Sequence, residues 1–351
     1  MKIDIRDFIP QTTDKGYDIS IHNDGVFVIA SYECKFSKPE RLRIRRYIEL
    51  DDLFFEGFGL INGDGDRYHF VGLSNSELSV LQHFMDFMEK TFWIPRDVFT
   101  ARLILPEGFD PVETKRTFAS GLCMREDQIT GTGYKEDHRR PVLNVYKRTK
   151  MIDLIFRGLY EFSQHQAEQR KEFAIPYLRG VIASEGCVQR RNTTRSVFAV
   201  KISSLDPENT RLYKNLLELC GIGFGKDERD CIPIRHMSNF QKLEEFDMLK
   251  LSNAKKLKFS SGMLLLKENK ANMLDRGITN DRIMGLLDDI GPMTVPAITA
   301  ELRKIRPTQD RSTVYKHIWE LEKSGKVKRT GFKMLRKPYH KIIIWSINPA
   351  K

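Results

Sequence analysis

The sequence has few cysteines, and their number and spacing exclude two kinds of small stabilised fold. Its 351 residues contain five cysteines, an odd number, and no two of them form a Cys-x-x-Cys pair. A disulfide framework or a structural zinc site normally needs paired, closely spaced cysteines. The fold must therefore depend on a hydrophobic core, for which the 40% of hydrophobic residues is sufficient.

Long apolar runs are also absent. No run reaches the roughly 18 residues of a membrane-spanning helix, and the N-terminus shows no signal-peptide pattern. We therefore expect a soluble, cytoplasmic protein with no membrane partner.

Acidic residues are too few to balance the basic ones. The chain has 58 Lys and Arg against 47 Asp and Glu, which gives a formal charge of +11 and a sequence pI of about 9.3. Residues 275–351 hold 16 Lys and Arg but 8 Asp and Glu, and Lys326–Lys341 contain seven basic residues and no acid. Such an excess favours a polyanionic partner such as double-stranded DNA. An ordinary basic protein surface is the alternative interpretation.

The order of helix and strand signals divides the chain into four regions. These are a β-rich extension (1–50), two similar halves (51–170 and 171–270) and a distinct C-terminal region (275–351). Each half begins with a glycine-containing helix that ends in an acid, and strands and a further helix follow. This weak duplication predicts a monomer with internal pseudo-twofold symmetry. In the second half, "GIGFGKD" is predicted as a strand, and Asp206 is predicted to cap a helix that begins at Pro207.

The C-terminal region is typical of a winged helix-turn-helix domain. Three helical patterns precede two strands, and Val314, Ile318 and Leu321 share one face of the third helix. The residues that this third helix would offer to a DNA major groove are Arg311, Ser312, Thr313, Lys316 and His317. The residues that the wing would offer to phosphates or the minor groove are Lys328, Arg329, Lys333, Arg336 and Lys337.

One motif occurs twice, as "GLINGDG" at 59–65 and "GVIASEG" at 180–186. Gly59 and Gly63 are four residues apart, as are Gly180 and Ser184, so each pair lies on one helix face. Small residues at this spacing let two helices approach backbone to backbone. Close packing of this kind offsets the cost of about 1 kcal/mol that each helical glycine carries relative to alanine.

Each motif ends in an acid followed by glycine. Asp64 and Glu185 are predicted in the last helical turn, with Gly65 and Gly186 as left-handed caps. A carboxylate at a helix C-terminus opposes the dipole at a cost of about 0.3–1 kcal/mol, and bringing two carboxylates together adds repulsion. A divalent cation held between them would remove both penalties, and oxygen ligands suit Mg²⁺.

The segments 57–65, "GFGLINGDG", and 178–186, "LRGVIASEG", resemble the LAGLIDADG signature of homing endonucleases. The resemblance covers most of residues 50–270. It implies an α+β fold, in which a pseudo-twofold pair of αββαββ-like halves places saddle-shaped, four-stranded antiparallel sheets on DNA. It also implies that Asp64 and Glu185 are catalytic and hold the metal ions, with Lys250 as a basic residue near a scissile phosphate. The sheet residues expected to contact DNA are Arg67, His69, Arg190, Arg191, Arg195 and Lys201.

The function predicted from these features is metal-dependent cleavage of a specific DNA site, with binding extended by the winged helix. Two other functions remain open. One bacterial regulator family joins a LAGLIDADG fold to a helix-turn-helix and binds DNA without cutting it, although such regulators tend to lose the two acids that are intact here. The same fold also serves in some RNA-splicing maturases.

Overall fold

The computed structural model describes residues 1–34, 37–66, 71–135, 139–190, 198–228, 230–305, 310–334 and 341–349. It divides into two units, Met1–Gly262 and Met263–Lys351. The fold is α+β with mainly antiparallel sheets, as predicted. Nowhere in the described chain is a helix both long and apolar enough to cross a membrane.

The first unit contains seven helices within its described residues, and an eighth begins near its end. The helices are α1 (Asp52–Asp64), α2 (Leu78–Asp86), α3 (Pro111–Leu122), α4 (Lys150–Gln169), α5 (Lys171–Glu185), α6 (Pro207–Leu219), α7 (Met237–Glu245) and α8 (Asn253–Asp289). A π-helical turn, Phe87–Thr91, directly continues α2. The helix capping predicted for α6 is confirmed, because the Asp206 side chain accepts a hydrogen bond from Glu208 N and Pro207 is the first helical residue.

The strands of the first unit form four sheets. They are β1 (Lys2–Asp4), β2 (Ile19–Asn23), β3 (Phe27–Cys34), β4 (Ser37–Arg45), β5 (Tyr47–Glu49), β6 (Gly65–Asp66), β7 (Val71–Asn75), β8 (Thr100–Leu105), β9 (Ile129–Tyr134), β10 (Val142–Lys147), β11 (Gly186–Arg190), β12 (Phe198–Ser203) and β13 (Cys231–Ile234). Strands β1 and β5 pair, and β2-β3-β4 form an N-terminal sheet. The two motif regions carry the sheets β6-β7-β10-β8-β9 and β11-β12-β13.

These two sheets differ from the matched four-stranded pair that the resemblance implies. The first has five strands, and β8 and β9 run parallel because α3 crosses over between them. The second has three strands among the described residues. The strand predicted over "GIGFGKD" is wrong, since residues 221–227 are irregular and follow a turn at Gly221, whose φ is 68°.

Helices α1 and α5 pack with their backbones in direct contact. A Cβ atom on Gly59 would overlap the carbonyl oxygen of Tyr177 and lie 3.0 Å from Gly180 Cα. A Cβ atom on Gly180 would overlap the carbonyl oxygen of Glu56. The predicted contact at Gly59 and Gly180 is therefore confirmed, and it leaves no room for a side chain at either position.

A cluster of aromatic rings packs around Phe58 of α1. Phe58 is fully buried, and its ring centroid lies 5.4 Å from that of Phe87 and 5.6 Å from that of Phe156. Phe92 lies 4.7 Å from Phe156 and closes the cluster. Because aromatic side chains bury large apolar areas, this cluster fixes α1 against α4 and the π-helical turn.

The glycines that follow the two acids do not form the predicted left-handed caps. Gly65 has φ −78° and ψ 144°, and Gly186 has φ −72° and ψ 143°. Both are extended because each motif helix continues directly into a strand, β6 or β11. Glycine is needed there for space, since a Cβ atom would overlap the carbonyl oxygen of Ile61 or Ile182.

The second unit combines helices with a small antiparallel sheet. Its elements after α8 are β14 (Met293–Thr294), α9 (Val295–Ile305), α10 (Arg311–Lys323), β15 (Val327–Met334) and β16 (Lys341–Ile347), with strand order β14-β16-β15. Ile283, Ile298, Val314, Ile318 and Trp345 lie in one buried cluster. The Asp310 side chain caps α10 by accepting a hydrogen bond from Ser312 N.

Gly180→Ala should destabilise the protein by at least about 2 kcal/mol, because the new methyl group forces the backbones of α1 and α5 apart. Gly285→Ala is the matched control. Gly285 is also helical, but a Cβ atom added to it would meet no described atom within 4 Å, so alanine should stabilise by about 0.5–1 kcal/mol. Urea denaturation followed by circular dichroism measures both. Equal stabilisation by the two substitutions would contradict the backbone contact.

Candidate functional site

The C-terminal ends of α1 and α5 meet in the first unit. A Cβ atom on Gly63 would overlap Ser184 Oγ and lie 3.0 Å from Glu185 Cγ. The residue before Asp64 thus touches the residue before Glu185 and Glu185 itself. The predicted contact at Gly63 and Ser184 is confirmed, and the two acids end neighbouring helices.

Asp64 is partly buried and bound from the adjacent sheet. Asn75 Nδ2, at the end of β7, donates a hydrogen bond to Asp64 Oδ2 at 2.7 Å. Burial raises the pKa of the Asp64 carboxyl above its ordinary value of 3.8, although the Asn75 hydrogen bond and the positive charge of Lys255 both act to lower it. Ionised Asp64 therefore costs the folded protein free energy, a property common at functional sites.

Lys255, near the start of α8, is the cation at this site. Its Nζ donates hydrogen bonds to the carbonyl oxygens of Ile182, Ala183 and Ser184 at 3.0, 2.5 and 3.1 Å. These carbonyls belong to the last turn of α5, where helical acceptors run short of N–H donors, although Ile182 O also accepts a hydrogen bond from Gly186 N. The ammonium group therefore caps the negative end of the α5 dipole, beside Glu185.

The acids also act on this lysine electrostatically. Burial lowers the pKa of the Lys255 amine below 10.5, whereas the negative charges of Asp64, Glu77 and Glu185 act to raise it. Asp64 and Glu185 thus both lie within electrostatic reach of one ammonium group. Lys255 was not predicted from the sequence, where its only signal was a position five residues after Lys250.

The structure does not bring Lys250 to the two acids. Lys250 Nζ lies 2.6 Å from Glu56 Oε1, and Arg179 Nη1 lies 3.1 Å from the same oxygen. Burial acts to raise the pKa of Glu56, but His83 and Lys250 outweigh it and hold the pKa below 4.5. Since Glu56 precedes Asp64 by eight residues of α1, Lys250 sits about 12 Å along the helix from the candidate site.

A cavity of about 430 Å³ adjoins Glu185. Glu185 and Asn62 border it from the motif helices, and Asp206 and Asp230 border it from the second half. Asp206 already serves as the cap of α6. No group of three or more His, Cys, Asp or Glu side chains that could hold a metal occurs among the described residues. A metal at the helix ends would therefore depend on Asp64 and Glu185 as its carboxylate ligands.

Most of the predicted DNA contacts in the first unit lie outside the described residues. These are Arg67, His69, Arg191 and Arg195. Arg190 pairs with Phe198 between β11 and β12, and its side chain is likewise not among those described. Lys201 Nζ lies 2.9 Å from Glu228 Oε2, so its charge is already paired within the protein.

In the second unit, α10 exposes most of the residues predicted to contact DNA. Arg311, Ser312 and Lys316 are exposed and Thr313 is half-buried. The prediction for His317 is wrong, because its side chain is buried with Val314, Ile318 and Leu321. His317 stands three residues after Val314 and four before Leu321, so helical spacing alone places it on the core face.

The predicted wing residues are described only in part. Lys328 and Arg329 are exposed on β15, and Arg329 Nε lies 2.8 Å from Glu322 Oε1. Arg336 and Lys337 lie outside the described residues, as does the side chain of Lys333. Lys328 is thus the described wing residue that offers a charge to solvent without an ion pair to other described residues.

Comparison with known proteins finds LAGLIDADG folds among solved structures. No protein-family model and no curated protein matches the chain. The N-terminal LAGLIDADG domain of DUF199/WhiA matches with a TM-score of 0.36 and 13% identity, over 56% of this chain and 83% of that one. A mesophilic variant of the homing endonuclease I-DmoI matches with a TM-score of 0.32 and 11% identity, over 56% of this chain and 96% of that one. Likenesses at this level carry no functional inference, so function must be inferred from the residues themselves.

Asp64→Asn should make the folded protein more stable at neutral pH. The folded-state pKa of Asp64 lies above its ordinary value, so the cost of ionisation is absent below about pH 3.8 and grows as the pH rises through the folded-state pKa. The free energy of unfolding of the variant should therefore exceed that of the wild type at pH 7 and equal it below about pH 3.8. Urea denaturation at the two pH values measures this difference. Asp97→Asn, at an exposed carboxylate, is the control. A variant less stable than wild type at pH 7 would contradict this electrostatic assignment.

Proposed function

We propose that this chain is a site-specific, metal-dependent DNA endonuclease of the LAGLIDADG homing type. The observation that carries the proposal is the meeting of two acid-terminated helices at a glycine-lined contact, with Gly63 against Glu185. Two carboxylates at two negative helix ends are unfavourable for folding alone. Their arrangement is favourable in a protein that must hold a cation against a phosphodiester.

The donor set at the helix ends fits Mg²⁺, which prefers carboxylate oxygens and retains water. Asp64 and Glu185 would hold it, and bound metal would activate water and stabilise the leaving oxygen of a phosphodiester. Asn75 orients the Asp64 carboxylate through Oδ2. The Lys255 ammonium group is already fixed by three carbonyls, so it supplies a positive charge of constant position beside both acids.

We further propose that the second unit is a winged helix that extends DNA binding. The support is the order α9, α10 and a β15-β16 hairpin, together with the basic, exposed positions Arg311 and Lys316 on α10. Helix α10 would enter the major groove, and Lys328 on β15 would contact phosphate.

A non-cleaving DNA-binding regulator is the second candidate, and a specific observation favours it. The partners of Asp64 and of the α5 carbonyls are protein groups, Asn75 and Lys255. A site whose charges are balanced internally folds without metal. Such a protein would keep the helix contact for its stability and use the basic surfaces for recognition.

Asp64→Asn and Glu185→Gln should each abolish Mg²⁺-dependent cleavage and leave DNA binding unchanged or tighter, because the acids hold metal but repel phosphate. The wild type is first incubated with a random-sequence DNA library with and without Mg²⁺, and bound and cut molecules are sequenced. Glu107→Gln, at an exposed loop acid, is the control and should cut normally. If the wild type binds a defined site and leaves it intact with every divalent metal, the regulator is the correct assignment.

Replacing Arg311 and Lys316 together by alanine should weaken binding to the selected site and change which sequences are preferred. Each phosphate contact that is lost should also reduce the slope of log K against log salt by about 0.9. Fluorescence anisotropy at several salt concentrations measures both effects. Lys304→Ala is the control, because Lys304 pairs with Glu301 at 2.8 Å on α9. An unchanged slope and preference in the double variant would mean that α10 does not face DNA.

A further inference from the structure

A groove in the first unit lies between β4 of the N-terminal sheet and the segment after the π-helical turn. Its volume is about 560 Å³, within the usual range for a ligand site. The residues that line it and matter here are Arg41, Arg43, Trp93, Ile94, Lys147 and Thr149. We call it the Trp93 groove. None of these residues takes part in the candidate site at the ends of α1 and α5.

The alternation of β4 places arginines along one side of the groove. Leu42 and Ile44 are buried, whereas Arg41 and Arg43 face outward. Successive strand residues point to opposite faces of a sheet, so the core fixes Leu42 and Ile44 and thereby sets the direction of the two guanidinium groups. The basic stretch of the N-terminal extension is thus an ordered edge of the groove.

Trp93 borders the groove in an unusual backbone conformation. Its φ is +64°, a left-handed value that is unfavourable for a bulky residue. Nevertheless the side chain remains 49% exposed. One part of the ring packs on Phe27, with centroids 4.4 Å apart, and the Arg43 guanidinium lies 5.1 Å from it. Strain that positions an exposed aromatic ring points to a binding role.

The charge of the groove is positive. Arg43 is paired, because its Nη2 lies 3.4 Å from Asp24 Oδ2, whereas Arg41 and Lys147 form no ion pair with any residue that the structure describes. Glu89, which also lines the groove, is neutralised by Arg96, whose Nε lies 3.0 Å from it. Thr149 adds a buried hydroxyl that has no hydrogen-bond partner in the described part of the chain. The groove thus offers a half-exposed aromatic ring and two cations that no described acid neutralises.

We propose that the Trp93 groove binds single-stranded DNA, with a base stacked on Trp93 and the adjacent phosphates held by Arg41 and Lys147. Proteins that bind single strands without sequence preference stack the bases on aromatic side chains and hold the phosphate backbone with nearby cationic side chains. An acidic peptide would satisfy the cations but would leave the indole ring uncovered. The choice of DNA over RNA rests on the proposed function, whereas the base-and-phosphate chemistry does not.

The fluorescence of Trp93 itself provides the test. The chain has three tryptophans. Trp345 is buried, and Trp319 is 65% exposed, so a full-length Trp319→Phe protein leaves Trp93 as its exposed tryptophan. An oligothymidylate of about eight nucleotides is titrated in the Asp64→Asn background, which removes cleavage. We expect saturable quenching that weakens with salt.

Variants then locate the bound strand. Replacing Arg41 and Lys147 together by alanine should weaken the binding about tenfold and reduce its salt dependence. Arg116→Ala, at an exposed arginine 3.6 Å from Glu126 in the same unit, should change nothing. Trp93→Ala should weaken binding of a labelled oligonucleotide about tenfold, and Trp93→Phe should restore most of it. Circular dichroism verifies that each variant is folded.

Two further arms separate this inference from the proposed function. Arg311→Ala with Lys316→Ala should weaken binding to duplex DNA but leave Trp93 quenching unchanged. An absence of quenching, or equal quenching and competition by a poly-glutamate peptide, would overturn the proposal. Tighter binding of oligouridylate than of oligothymidylate would overturn the assignment to DNA.

Discussion

The close approach of α1 and α5 is the constraint on which the first unit depends. Gly59 and Gly180 leave the two backbones in contact, with no space for a single methyl group. The rings of Phe87 and Phe156 pack against Phe58 of α1, and therefore against a helix whose position this contact already fixes. Because the contact continues to Gly63 and Ser184, it also brings the C-terminal ends of both helices together.

That geometry brings negative charges together, and a lysine of the protein offsets much of their repulsion. Two helix C-termini and two carboxylates converge, and Lys255 enters from α8 to bind three carbonyls of α5. The lysine itself is hard to keep charged, since burial lowers its pKa. Asp64 and Lys255 therefore each make the charge of the other less costly. A cation or phosphate bound beside them would shift the pKa of both groups.

Features that depend on local spacing could be predicted from the sequence. The contact at Gly59 and Gly180 follows from helical periodicity, and the burial of His317 could have been deduced in the same way. The cap at Asp206 follows from an aspartate placed directly before a proline. Lys255 could not, because its contact with residues about 70 positions earlier depends on how the chain turns between α7 and α8. The extended conformation of Gly65 could not be predicted from the sequence either, because it arises from strand β6 following α1 directly, without a loop.

The unequal sheets have a consequence for symmetry. A protein with true twofold symmetry reads a palindrome, because its two halves present the same side chains to each half-site. Here one motif helix continues into a five-stranded sheet with a parallel pair, and the other into a sheet with three described strands. In the proposed complex with DNA, two sheets that differ in strand direction have no reason to demand the same bases. A DNA sequence that fits both would be asymmetric, and each of its halves could change without the other.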